Sequence, residues 1–154
     1  MGSDDVEQFV SGVIVAPPLE GAEEEKVTGG GFYRASSTKA ATFGFNVQRK
    51  TADGPVTGEL EYHNFLTDED IHLSDFTSLT CADTNSDGLK DKCNFSGMGI
   101  NKTTGMAVTC DVEVHDNNEP GNKPPRDSFS ITGAGCAPSS GELDGGNIQI
   151  HKSS

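Results

Sequence analysis

The sequence has no tryptophan, few cationic residues and no long apolar stretch, and each shortage excludes a class of protein. Its 11 lysines and arginines stand against 24 aspartates and glutamates, which gives a formal net charge of −13. Nucleic acids and anionic membrane surfaces both require a basic footprint, so we expect neither as a partner. No run approaches the ~20 apolar residues of a membrane-spanning helix, so we expect no membrane insertion.

An export signal is also missing from the start of the chain. Residues 1–5 (MGSDD) are polar and acidic, without the basic and apolar regions of a signal peptide. We interpret the sequence as a mature secreted or cell-surface domain whose export signal has been removed. This expectation of secretion rests mainly on the four cysteines.

Helical patterns are scarce, whereas alternation with a period of two recurs along the chain. Apolar and polar residues alternate around Phe43–Val47, Leu60–Tyr62, Val108–Val114, Phe129–Ile131 and Ile148–Ile150. Turn residues such as Asp53-Gly54-Pro55 separate these segments. This pattern predicts an all-β fold of about eight to nine strands. We expect an antiparallel β-sandwich, Ig-like or jelly-roll. The alternation slips near Asp75, which predicts a β-bulge there.

The chain divides into an N-terminal extension, residues 1–26, and a β-sandwich domain, residues 27–152. Within the extension, Val6–Ala16 is strand-prone, Pro17-Pro18 ends it, and Glu20–Lys26 has the composition of a solvated linker. The Val6–Val15 strand either completes its own sheet or adds to the sheet edge of a second copy. The second alternative predicts self-association into a fibre or surface array.

Four cysteines allow three disulfide pairings. Their even number and the absence of a Cys-x-x-Cys motif favour disulfides over zinc or redox chemistry, although four reduced core cysteines are the alternative. Cys81 and Cys93 bracket an acidic loop, so a bridge between them would order it. That pairing leaves Cys110 with Cys136.

The acidic loop between Cys81 and Cys93 is the most informative stretch. Oxygen-bearing side chains alternate along it, and Gly88 permits a sharp turn that brings a main-chain carbonyl round as a further ligand. We predict a Ca²⁺ site formed by Asp83, Asn85, Asp87, Leu89 and Asp91. The alternative is a polar hairpin loop that binds nothing.

This alternation resembles the calcium loops of EF-hands, dockerins and thrombospondin type-3 repeats. The last position of the twelve-residue EF-hand loop is a bidentate glutamate, and here it is Asn94. Asp91 instead fits the shorter loop of the thrombospondin-type repeats.

A second acidic cluster lies between the Val112/Val114 and Phe129/Ile131 strands. Its oxygen-bearing residues form a possible second metal site, consisting of Asp116, Asn118, Glu119 and Asp127. The alternative is that Arg126 pairs with one of these carboxylates while the prolines stiffen the turn.

Catalytic patterns are weak, so we expect a protein that is not an enzyme and has no catalytic residues. Glu59 and Glu61 share a strand face that the alternation predicts to be solvated. The histidines have no metal-ligand spacing, and no serine sits in a nucleophile-elbow context.

Three segments and one hairpin resemble a known family. The residues that carry the resemblance are Val27–Gly31, Ala41–Asn46, Gly145–Lys152 and the Asp116–Gly121/Arg126–Phe129 hairpin. Together they are similar to the small secreted bacterial domains called post-COAP domains. The resemblance covers residues 27–152 and implies an extracellular all-β module of unassigned biochemical function.

These observations predict a non-catalytic extracellular calcium-binding module with a structural, assembly or adhesive role. The alternative is a calcium-dependent carbohydrate-binding module whose partners are glycans. Sugar sites usually present an aromatic platform. With no tryptophan and only Tyr33 and Tyr62 as tyrosines, the sequence favours the first hypothesis.

Overall fold

The structure, a computed structural model, describes residues 24–51, 53–86, 88–118 and 121–151. The Val6–Val15 strand prediction therefore lies outside the described residues. The predicted all-β class is confirmed. The nine strands are β1 (Glu25–Ala35), β2 (Thr38–Arg49), β3 (Val56–Asn64), β4 (Glu69–Ala82), β5 (Lys92–Asn101), β6 (Met106–His115), β7 (Ser128–Ala134), β8 (Cys136–Glu142) and β9 (Gly145–His151).

All nine strands belong to one antiparallel sheet, in the order β8-β7-β6-β5-β4-β3-β2-β1-β9. Strands β1 to β8 form a simple meander, and β9 returns to pair with β1, with Val27 opposite Ile150. The predicted two-sheet sandwich is not confirmed, because the described strands form a single sheet. Its inner face is nevertheless buried, as the alternation requires.

The short connection between β8 and β9 explains why the sheet curls. These strands are the two edges of the sheet, yet only Leu143 and Asp144 separate them in sequence. Two residues span only about 7 Å, so the edges must come together at this point. The Leu143 N–H donates to the Asp127 carbonyl (2.9 Å) and the Asp144 N–H to the Phe32 carbonyl (2.9 Å).

An aromatic cluster fills the curl and joins strands that are distant in the sheet order. The Phe129 ring of β7 stacks on Phe43 of β2, with centroids 4.2 Å apart, and on Tyr62 of β3 at 5.9 Å. Tyr33 of β1 lies 6.3 Å from the same ring. These contacts across the interior replace the contacts that two facing sheets would make in a sandwich.

Two finer predictions about the strands are confirmed. The register of the β4–β5 pair shifts between Leu73 and Asp75 and again between Phe76 and Ser78, which places the bulge where the alternation slips. Both predicted disulfides are present, Cys81–Cys93 with Cα atoms 4.0 Å apart and Cys110–Cys136 with Cα atoms 5.9 Å apart.

The acidic loops lie at one end of the curled sheet, which we call the loop end. It carries the connections 50–55, 83–91 and 116–127. Lys26 pairs with His151 there, so the first and last described strands meet at this end. The opposite end, the turn end, carries the tighter connections 36–37, 65–68 and 102–105.

Candidate calcium loop and its surroundings

The predicted calcium loop connects β4 to β5 and is closed at its neck. Ala82 pairs with Lys92 next to the Cys81–Cys93 bridge. The Asp91 N–H donates to the Ala82 carbonyl (2.9 Å), which holds the two sides of the loop together. The neck is therefore fixed by a covalent bond and by main-chain hydrogen bonds.

Asp83 organises the first half of the loop. One of its carboxylate oxygens accepts a hydrogen bond from the Asn85 N–H (3.2 Å) and the other from the Gly88 N–H (2.7 Å). Gly88 has a φ of +86°, a conformation that glycine adopts without strain. The predicted sharp turn at Gly88 is thus confirmed, and it brings the backbone back towards Asp83.

Asp91 stands at the neck with 8% of its surface exposed. One carboxylate oxygen accepts the Thr84 N–H at 2.6 Å, and the other accepts the Thr84 hydroxyl. Burial by itself raises the pKa of this carboxyl, but the hydrogen bonds from Thr84 outweigh it and hold the pKa of Asp91 below its ordinary value. Asp91 therefore carries its negative charge at neutral pH.

The described residues of the loop suit a hard cation in chemistry but are not gathered around one point. Within residues 24–51, 53–86, 88–118 and 121–151, no group of three or more His, Cys, Asp or Glu side chains is placed to hold a metal ion. Asp87, the central predicted ligand, lies outside those ranges. Ionised carboxylates accept about four hydrogen bonds or ligands, so Asp83 and Asp91 retain capacity for a cation.

Glu25 is a buried residue of this site that the sequence analysis missed. We expected it in a solvated linker, but it is the first residue of β1 and only 7% exposed. The Arg49 guanidinium donates to one of its carboxylate oxygens. The Lys90 Nζ (3.1 Å) and the Cys81 N–H (3.2 Å) donate to the other. Extending the alternation back from Val27 would have placed Glu25 on the inner face.

The second acidic cluster supplies acceptors for main-chain N–H groups. Asp127 is fully buried. One carboxylate oxygen accepts the Asn117 (2.6 Å) and Asn118 (3.0 Å) N–H groups, and the other accepts the Ile148 N–H of β9 (2.8 Å). Asp116 accepts the Ile150 N–H (2.8 Å). Two carboxylates thus bind alternate N–H groups along the free edge of β9.

This arrangement gives the described residues of the second cluster a structural role, and the second metal site stays a prediction. The Asn118 amide donates to the Lys123 (3.1 Å) and Pro124 (3.2 Å) carbonyls and so stiffens its own loop. Arg126 pairs with Asp144 (2.9 Å), outside the cluster. Glu119, the remaining predicted ligand, lies outside the described residues.

A groove separates the two acidic loops at the loop end. Its cavity volume is about 880 Å³, and both loops and the strands β1 and β9 line it, with residues that include Glu24, Asn85, Asp91, Asp116, Asn118 and Ile150. The predicted calcium loop therefore faces a concave surface and not the flat side of the sheet. A ligand in this groove would touch both loops at once.

Glu59 and Glu61 lie on the outer face, as predicted, with 67% and 52% of their side chains exposed. The His72 ring lies between them, with its nitrogens 3.4 Å from Glu59 and 3.2 Å from Glu61. Lys102 adds a further contact to Glu61 at 3.3 Å. The two carboxylates thus belong to a solvated network of charges.

Comparison of the chain with family models, curated proteins and solved structures found no match. The resemblance to post-COAP domains consequently stays a prediction. Among the described residues, no helix is long and apolar enough to cross a membrane.

Proposed function

We propose that the protein is a non-catalytic extracellular module that Ca²⁺ rigidifies and that serves a structural or adhesive role. The observation that carries this proposal is the 83–91 loop, in which Asp83 accepts hydrogen bonds from the Asn85 N–H and from the N–H of the left-handed Gly88. A cation bound inside this loop would draw its alternate oxygen atoms towards one point. Oxygen ligands of this kind are preferred by calcium.

The chain's own residues would hold the ion through charge. Asp83, Asp87 and Asp91 are three negative charges in nine residues, and in the absence of a cation they repel one another. Asp91 is already fixed at the neck by Thr84, so this carboxylate would need no rearrangement to bind the ion. The bound ion would neutralise these carboxylates.

Calcium binding would stabilise the folded protein by linkage. A ligand that binds only the folded state adds roughly 2.7 kcal/mol when its free concentration is a hundredfold above Kd. The loop joins β4 to β5 in the middle of the sheet, so ordering it restrains central strands. A surface protein would gain rigidity wherever calcium is plentiful.

The compartment is consistent with this role. Two disulfides indicate an oxidising environment, since thiols stay reduced in the cytosol. We infer secretion or display at the cell surface, where calcium is abundant. The net charge of −13 favours solubility and cation binding there.

The test is a calcium titration of chelator-stripped protein by calorimetry, with the melting temperature followed in parallel. We expect binding of one ion and a higher melting temperature in the natural sequence. Asp87→Ala should abolish the rise, because it removes the central carboxylate of the loop. Asp53→Ala is the matched control, since it removes an exposed aspartate from another connection at the loop end and should leave the rise unchanged.

Charge screening must be separated from specific binding, because a chain of charge −13 is also stabilised by salt. Sodium chloride at the same ionic strength should raise the melting temperature of both variants equally. An unchanged calcium response in Asp87→Ala would place the ion elsewhere. If the protein binds no calcium at millimolar concentration, the 83–91 loop is a polar hairpin loop without a metal site.

A further inference from the structure

Gly44 occupies the middle of β2 although the fold does not require a glycine there. A Cβ atom on Gly44 would meet nothing within 4 Å, and its φ is not in the left-handed region. Its pairing is regular on both sides, opposite Gly30 of β1 and Glu61 of β3. By contrast, a Cβ on Gly99 would overlap the His72 carbonyl oxygen. A glycine without such a cause weakens its strand and often marks a place where a ligand approaches the backbone.

The missing side chain leaves a hollow on the outer face of the sheet. Its volume is about 270 Å³, and it is lined by Thr42, Glu61, His63 and Asp70 around the Gly44 backbone. Gly30 extends the bare floor towards β1, since a Cβ there would make only ordinary contacts, the nearest at 3.6 Å. Pockets for drug-sized ligands occupy about 300–1,000 Å³, so this hollow has room for one small ring.

The side chains around the hollow combine an aromatic surface with hydrogen-bonding groups. The aromatic surface is the His63 imidazole; the Phe65 ring, 49% exposed, does not line the hollow but stacks on this imidazole with centroids 4.5 Å apart. Within the described residues, the Asp70 carboxylate makes no hydrogen bond or ion pair and can accept from a ligand. Thr42 and His63 add groups that both donate and accept.

We propose that this hollow binds one uncharged sugar ring without the aid of calcium. Sugar hydroxyls donate to carboxylates and accept from imidazole and hydroxyl groups, and sugar C–H faces pack against aromatic rings. An acidic sugar is disfavoured, because the Asp70 carboxylate lines the hollow and the whole chain carries −13. The hollow lies on the outer face of β2, β3 and β4, away from the 83–91 loop. It is therefore separate from the proposed calcium site.

The test is binding of the protein, displayed in many copies on beads, to immobilised neutral oligosaccharides of hexoses and N-acetylhexosamines. Multivalent display is needed because an open site for one ring binds weakly. We expect retention in the presence of a calcium chelator. Gly44→Val should abolish it by filling the hollow, and it should fold normally because its side chain enters open space and β-branched residues favour strands.

Gln48→Val is the matched control, since it places the same side chain on the same strand and face but outside the hollow. It should bind like the natural sequence, and Asp70→Asn should bind more weakly. The proposal is overturned if no neutral glycan is retained, if acidic glycans are preferred, or if Gly44→Val binds normally. Retention that requires calcium and disappears in Asp87→Ala would also overturn it, by placing the sugar at the loop. Loss of calcium binding alone leaves the sugar result unaffected, so the two proposals fail separately.

Discussion

Among the described residues, three carboxylates are buried at the loop end of the sheet, and each has a specific set of donors. Glu25 accepts hydrogen bonds from a guanidinium, an ammonium and a main-chain N–H. Asp91 accepts from the hydroxyl and the main-chain N–H of Thr84. Asp127 accepts from three main-chain N–H groups. A buried charge is costly unless it is hydrogen-bonded, so such residues are held by structure. Asp127 is the clearest case, because donors from two segments, residues 117–118 and β9, converge on it.

Asp127→Asn should lower the free energy of unfolding by about 2–3 kcal/mol, because the amide NH₂ would face at least one main-chain N–H in either orientation. Urea denaturation measures the change. Asp53→Asn, at an exposed turn, is the control and should be neutral. Calcium binding by Asp127→Asn should be unchanged. A variant that keeps its stability but loses an ion would instead support the predicted second metal site.

At the scale of elements, hairpins and bulges were predictable from local patterns, whereas edge contacts were not. Alternation around Phe43–Val47 and its slip at Asp75 are properties of one strand and can be read directly from it. The Asp116 and Asp127 contacts to β9 join residues far apart in sequence, so no local pattern reveals them. Glu25 was missed because its acidic neighbours suggested a linker.

These carboxylates also affect how the sheet could grow. An edge strand with free N–H groups is a template for another strand. The N–H groups of Ile148 and Ile150 point to Asp127 and Asp116, so the β9 edge is closed at two alternate positions. A donated Val6–Val15 strand, as predicted from the sequence, would therefore have to pair elsewhere.

The two disulfides should have different effects on the calcium loop. Cys81–Cys93 spans 12 residues and encloses the loop, whereas Cys110–Cys136 spans 26 and joins β6 to β8. Replacing both cysteines of either bridge with serine should cost roughly 3 kcal/mol, because each bridge restricts the unfolded chain. Only loss of Cys81–Cys93 should weaken calcium binding, as the neck then frays.

Paired urea and calorimetric titrations of the two double variants measure both quantities. The Cys110→Ser/Cys136→Ser protein serves as the control, since it is destabilised without a change at the loop. Equal calcium affinity in both variants would show that the neck is held by the main chain and by Asp91 alone.

At the scale of the molecule, the sequence could not distinguish a curled sheet from a sandwich. Both architectures bury one face of every strand and expose the other, so both give the same alternation. The distinction depends on which strands pair. The short β8–β9 connection is a local feature that indicates a closed sheet, because it joins the two edge strands. Two residues between opposite edges can be accommodated only if the sheet closes on itself.

Circular permutation tests this closure. Joining Ser154 to Met1 lets residues 152–154 and 1–23 connect β9 to β1, which already pair at Lys26 and His151. A permutant opened between Thr104 and Gly105, an exposed turn, should fold with both disulfides, because permutation is tolerated at such sites. A permutant opened between Leu143 and Asp144 loses the covalent link between the sheet edges. Its free energy of unfolding should be lower, because closing the sheet then costs additional chain entropy.

Both proteins share the same new junction, so urea denaturation compares the two openings directly. Equal stability would mean that the aromatic contacts around Phe129 suffice to close the sheet without the β8–β9 connection.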